Sequence, residues 1–336
     1  MKKRQGDCIK FIFLAVVFLL LGLAIHFGYR KEGYYIDELW SYGLANSYET
    51  PFLQEKEGYM EAWHRPDFYK EYLTVGTGHA FAWESVYSNQ VQDVHPPLYF
   101  FLLHGISSFF PKQFSKWYGL SINLLFYAVT LLLLYELGGI WDNDGESIVR
   151  LVVPVLYGVS AGALSNAVYI RMYTMLTCVA VLFAVLVRRA MIKEGTEHRK
   201  NLTVLMAVSA IGTLTQYYFL IFAFFLSACY VLWRLFRKEW RKALVYTVSV
   251  CAGIGIGILI FPALLQHILV GEKGQESFIN IIGNLPVFTE RLTRYVKILS
   301  EAFWGGHTRW FLVSLLASLV CAVVLAVIRR WKNVCS

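Results

Sequence analysis

The chain has 336 residues, 57% hydrophobic and only 16% charged, with a formal net charge of +8. Soluble domains carry about 25% charged residues, so this composition excludes an ordinary water-soluble fold and points to an all-α polytopic membrane protein. The apolar runs are continuous, not alternating, which argues against a barrel. The basic excess implies no nucleic-acid partner, because the basic residues flank apolar runs, where they orient membrane helices. The six cysteines form neither a disulfide framework nor a metal-ligand spacing.

Met1-Lys2-Lys3-Arg4 precedes a first apolar run from Ile9 to Phe27. No small-residue cleavage site follows before Tyr29, so the run reads as an uncleaved anchor with a cytoplasmic N-terminus. Residues 29–116 then form a long outer loop, rich in aromatic residues and expected to hold juxtamembrane helices. Its last apolar piece, 97–110, has about fourteen residues and would rise only ~21 Å as a helix, short for a ~30 Å bilayer core. Charge parity decides its status. If it does not cross, the clusters Arg188-Arg189, Arg237-Lys238 and Arg329-Arg330 all fall inside; if it crosses, all fall outside.

Further spans are expected near 117–137, 147–167, 172–190, 202–217, 218–236, 243–267 and 309–328, making about eight transmembrane helices in one domain, 1–336. A last outer loop covers 268–308, where Lys273, Arg291, Arg294 and Lys297 lie. Gly253, Gly255 and Gly257 fall inside a span and read as close helix packing, not phosphate binding.

Three polar clusters gather on the outer side under this topology. Asp37 and Glu38 follow the first span inside Tyr34-Tyr35-Ile36-Asp37-Glu38-Leu39-Trp40. An aromatic setting at a membrane surface desolvates a carboxylate, which suits it to accept a proton near neutral pH. Asp93 and His95 precede Pro96-Pro97, which would fix the angle of the next helix. An Asp and a His can also ligate a divalent cation, Mg or Mn, but so few ligands do not specify one. Arg171 and Tyr173 stand at the boundary between two spans, where a guanidinium can clamp a phosphate or simply snorkel. Gln216 and Tyr217 occupy the next outer turn, as an aromatic belt or the lining of a lipid groove.

The Asp37-Glu38 pair after the first span, His95-Pro96-Pro97 before a short apolar helix, and Arg171-Met172-Tyr173 opening a later span resemble the GT-C superfamily of membrane glycosyltransferases. The nearest likeness is to the protein O-mannosyltransferase and lipid A aminoarabinose transferase-like group, over the first two thirds of the chain. The resemblance implies transfer of a sugar from a polyprenyl-phosphate donor to an acceptor hydroxyl on a glycan, lipid or protein. It places the chain in a bacterial plasma membrane, among membrane lipids, with its active site on the extracytoplasmic side. Asp37 would be the catalytic carboxylate with Glu38 beside it, and Asp93, His95, Arg171, Tyr173, Gln216 and Tyr217 would bind substrate. Two positions depart from the family pattern. Tyr169 stands where many relatives carry Glu, and Gln216 where they often carry His. The competing expectation is a lipid-linked sugar flippase or transporter, which would want mid-span polar groups and broken helices.

Overall fold

The structure is a computed structural model that describes residues 2–53, 67–139, 149–193, 195–270, 285–318 and 320. Among these residues every regular element is a helix. In chain order they are α1 (Lys2–Arg30), α2 (Ile36–Asn46), α3 (Asp67–Leu73), α4 (Trp83–Gln92), α5 (Leu98–Ser108), α6 (Lys116–Gly138) and α7 (Val149–Val159). They continue with α8 (Ala161–Val168), α9 (Tyr173–Ile192), α10 (Gly195–Thr215), α11 (Tyr218–Phe236), α12 (Trp240–Ile260), α13 (Ala263–Leu269) and α14 (Leu285–Trp304). Two compact units are present. One holds residues 1–159 and 163–274; the other holds 275–336 with 160–162.

Five helices are long and apolar enough to cross a membrane: Asp7–Arg30 within α1, then α6, α9, α11 and α12. The count becomes six if α7 and α8, which meet at a 61° bend, form one broken span. This is a helical membrane protein by length and composition. The α1 helix shows why. It buries Ile9, Phe13, Val17, Leu20, Ala24 and Gly28, one stripe at helical spacing, and leaves Phe11, Phe18 and Leu19 more than 70% exposed. A helix apolar all round with a single protein-facing stripe needs a non-aqueous surround.

The structure modifies several expected spans. The 147–167 run breaks at Ser160, where Gly158 and Ser160 favour a kink beyond the internal Pro154. The 243–267 run ends at Ile260; Pro262 starts the separate α13. The 202–217 run falls on α10, which has the length but not the apolar character of the five. It lies along α9 and α12 and buries Asn201, Ser209, Thr213 and Thr215. Lys273 and the Arg329-Arg330 cluster lie outside the described residues, and the 309–328 span is described at 309–318 and 320 alone.

Gly253 and Gly257 face α10. A Cβ at Gly253 would stand 2.1 Å from the Met206 carbonyl oxygen, and one at Gly257 would stand 2.8 Å from Thr213, whereas Gly255 meets nothing. The i, i+4 pair is thus the small-residue seam that lets two backbones approach. The main core joins α2, α5, α6 and α9 to α12 around Tyr99, Phe100, Phe183 and Phe219. The short α5 is heavily buried in it, with Tyr99, Phe100, Leu103 and His104 all covered. In the second unit, α14 closes on Gly305 and Gly306, both at positive φ, before a helical run at 308–318.

Candidate functional site

The site begins with a helix start. Tyr35 is extended, and Ile36 opens α2, which places Asp37 and Glu38 in the first turn, where carboxylates complement the helix dipole. Adjacent residues on a helix point about 100° apart, so the two acids diverge. Glu38 is fully buried. Its Oε2 accepts from the Tyr35 backbone N–H at 2.8 Å and from Lys31 Nζ at 2.9 Å, and its Oε1 accepts from the Ile170 N–H at 2.8 Å. It therefore ties the end of α1, the start of α2 and the turn between α8 and α9. Lys116 Nζ adds a second tie, donating to the Tyr29 and Lys31 carbonyls.

Asp37 is half-buried and faces the other way. Its Oδ2 accepts from Tyr169 Oη at 2.9 Å. The Tyr169 hydroxyl titrates above its ordinary range because burial and the Asp37 carboxylate both disfavour a phenolate, so it remains a donor. The Tyr169 ring stacks on Tyr173 at 6.1 Å and meets Tyr35 edge-on at 5.6 Å. The expected Tyr173 thus stands behind Tyr169 in an aromatic wall beside Asp37.

Arg171 is 4% exposed. Its Nη1 donates to the Asp37 carbonyl at 3.2 Å and to Ser41 Oγ at 3.3 Å, and its Nη2 lies 3.1 Å from His95 Nε2. A guanidinium only donates, so His95 Nε2 is the acceptor. The proton then sits on Nδ1, which donates to Asp93 Oδ2 at 2.8 Å. Burial alone would raise Asp93, but the His95 hydrogen bond, the Val94 N–H and the Arg171 charge outweigh it and hold the carboxyl below its usual range. Asp93, His95, Arg171 and the backbone of Asp37 form one continuous chain of polar contacts. Yet among the described residues no carboxylate lies within ion-pair distance of Arg171, and its buried Nε has no hydrogen-bond partner.

The remaining expected residues lie off this chain. Tyr217 Oη donates to His267 Nδ1 at 2.7 Å, because His267 Nε2 must donate to the Val91 carbonyl at 3.0 Å. This joins α11, α13 and α4, two residues from Asp93. Burial first and the Asp93 charge second raise Tyr217. Gln216 uses its Oε1 to accept the Tyr217 N–H, which caps its own turn. No three His, Cys, Asp or Glu side chains are placed to hold a metal ion among the described residues.

Sequence reasoning passed over Lys31 and His267, gave Ser41 no role, and treated Tyr169 only as a departure from a family pattern. Ser41 was findable: it is i+4 from Asp37 on α2, hence on the same face. His267 was hidden inside an apolar run read as one span. Comparison of the chain with protein-family models, curated proteins and solved structures found no match.

Proposed function

We propose that the chain is a membrane glycosyltransferase that moves a sugar from a polyprenyl-phosphate donor to an acceptor hydroxyl at the extracytoplasmic face of a bacterial plasma membrane. The observation that carries this reading is Arg171: a buried guanidinium without a carboxylate partner among the described residues, its Nε unpaired, fixed against the backbone of a half-buried acid. A buried charge left unpaired is costly, and a phosphate is the anion a guanidinium fits best.

In the proposed reaction Asp37 takes the proton of the acceptor hydroxyl. The acceptor oxygen forms a bond to the anomeric carbon while the bond from that carbon to the phosphate oxygen breaks, its electron pair leaving with the polyprenyl phosphate. Arg171 stabilises the charge that develops on the leaving group. Asp93 and His95 are positioning residues: the Asp93 carboxylate fixes the His95 tautomer, and His95 Nε2 fixes Arg171. Tyr169 orients Asp37, and Glu38 holds the frame without meeting substrate. A phosphate is already a competent leaving group, so no general acid is needed.

The test is a transfer assay with purified protein in nanodiscs and a polyprenyl-phosphate-linked sugar. Asp37→Asn preserves the shape of the site and is expected to slow transfer by about 10²–10⁴, the range for a lost general base. Turnover equal to the parent's would remove Asp37 from that role. The second reading, a lipid-linked sugar flippase, is favoured by the broken α7–α8 pair. Movement of the lipid-linked sugar between leaflets of a vesicle, with the glycosidic bond intact and no transfer product, would establish it instead.

A further inference from the structure

A cavity of about 860 Å³ opens at the far end of α2, and none of the residues expected from the sequence to form the site lines it. Its size lies within the range of small-molecule sites. Asn46, Tyr48, Lys70, Glu71, His79 and Lys112 are among its walls. They come from the end of α2, the end of α3, the loop before α4 and the loop after α5.

The walls are held in place. Lys112 has a left-handed backbone (φ 60°), and its N–H donates to the Val75 carbonyl at 2.9 Å, which pins one loop to the other. Glu49, in sequence between the wall residues Tyr48 and Thr50, is also left-handed (φ 51°), and its N–H donates to Ser85 Oγ at 2.8 Å. Two long side chains in this strained region, beside one cavity, are the kind of outlier that accompanies binding sites. The Tyr48 ring stacks on His79 at 3.9 Å and remains half exposed.

The chemistry of the walls is specific. Lys70 and Lys112 are exposed, and neither joins an ion pair among the described residues, so the two ammonium groups outweigh Glu71. Asn46 is 3% exposed; its Nδ2 donates to the Leu73 carbonyl and Ser107 Oγ, while its buried Oδ1 has no donor. Two cations, the Glu71 carboxylate as an acceptor and an aromatic face together suit a ligand that carries a negative charge, hydroxyl donors and an apolar ring face. We infer that the cavity binds an anionic saccharide, phosphorylated or carboxylated.

The site shares a helix with the polar chain described above. Asp37 and Asn46 lie on the same helix, about 14 Å apart at 1.5 Å per residue. Tyr72, a cavity wall, packs so closely on α2 that a Cβ at Gly43 would lie 1.9 Å from its ring. Tyr72 is raised by burial first and by the Asp93 charge second, so the cavity wall lies within the field of the Asp93–His95 pair. As the acceptor subsite of a transferase, the cavity rests on the function proposed above; as a saccharide site, it stands alone.

The experiment is ligand-observed NMR on the full chain in nanodiscs, titrated with glucose 6-phosphate, glucuronate, glucose and inorganic phosphate. At least one of the two charged sugars should bind, more tightly than either glucose or inorganic phosphate. The K70Q/K112Q double variant should bind it about tenfold or more weaker, as lost charge-assisted contacts imply, and K70R/K112R should restore binding. Both lysines are exposed, so neither variant disturbs folding. Asp37→Asn should bind like the parent. Binding by neither charged sugar, equal binding by K70Q/K112Q, or inorganic phosphate binding as tightly as the sugars would each overturn the proposal. Saccharide binding in a protein that shows no transfer would instead overturn only the enzymatic reading.

Discussion

Two buried arginines sit at opposite ends of the helices, and they are finished differently. Arg234, at the end of α11, is 3% exposed. It spends Nε on Tyr230 Oη, Nη2 on the Ala190 carbonyl and Nη1 on Glu239, with its guanidinium 4.5 Å over the Trp233 ring. Arg171 is buried as deeply but donates to a carbonyl, a hydroxyl and a neutral imidazole, with Nε left over. The first is a completed staple between α9 and α11. The second leaves one donor over, and the proposed function assigns an anion to it. Burial alone does not distinguish the two arginines; the hydrogen-bond inventory does.

Substituting both arginines tests the contrast most strongly. Arg171→Gln should cut transfer by about 10²–10³, the loss of one transition-state donor, while the thermal midpoint in detergent holds or rises. Arg234→Gln should do the opposite, leaving turnover per folded molecule intact and lowering the midpoint, because buried carbonyls without donors cost about 1–3 kcal/mol each. A matching response from the two variants would break the comparison.

Glu38→Gln sharpens it from the acid side. Glu38 has no vacancy for substrate, and a charge-assisted bond is worth about 1.5–3 kcal/mol. Weakening its contacts to Lys31 and Ile170 should lower the melting temperature with little change in kcat. The smallest effect belongs to Asp93. Its folded carboxyl is depressed, so its contribution to stability is fully present above about pH 4, where an unfolded aspartate is ionised, and is lost as pH falls through the lower folded value. His95 and Arg171 face it directly, and Tyr72 and Tyr217 lie within its field. Asp93→Asn should therefore flatten the acid limb of a melting-temperature profile and leave the neutral plateau lower.

Much of this arrangement was legible in the sequence. The bounds of α6, α9 and α11 fall within two residues of the expected spans, because long apolar runs bounded by polar residues leave little freedom. Asp37, His95 and Arg171, up to 134 positions apart, were expected on one side and are joined by hydrogen bonds. The division of labour between Asp37 and Glu38 was not legible. It depends on where α2 starts, and a one-residue shift there exchanges the two faces. The cavity at Asn46 carried no motif at all, because its walls come from four segments whose meeting is fixed by tertiary packing.

The seam at Gly253 and Gly257 bears on biogenesis. The α10 helix that it receives carries Asn201, Ser209, Thr213 and Thr215 on protein-facing sides, and lipid would solvate such a surface poorly. Its partner α12 is synthesised after it. A chain truncated before Trp240 should therefore leave a cysteine placed at Ser209 open to a water-soluble thiol reagent that the full chain excludes. On that outcome the middle of this protein settles only once a later segment emerges to shelter it, and the order of translation is not the order of consolidation.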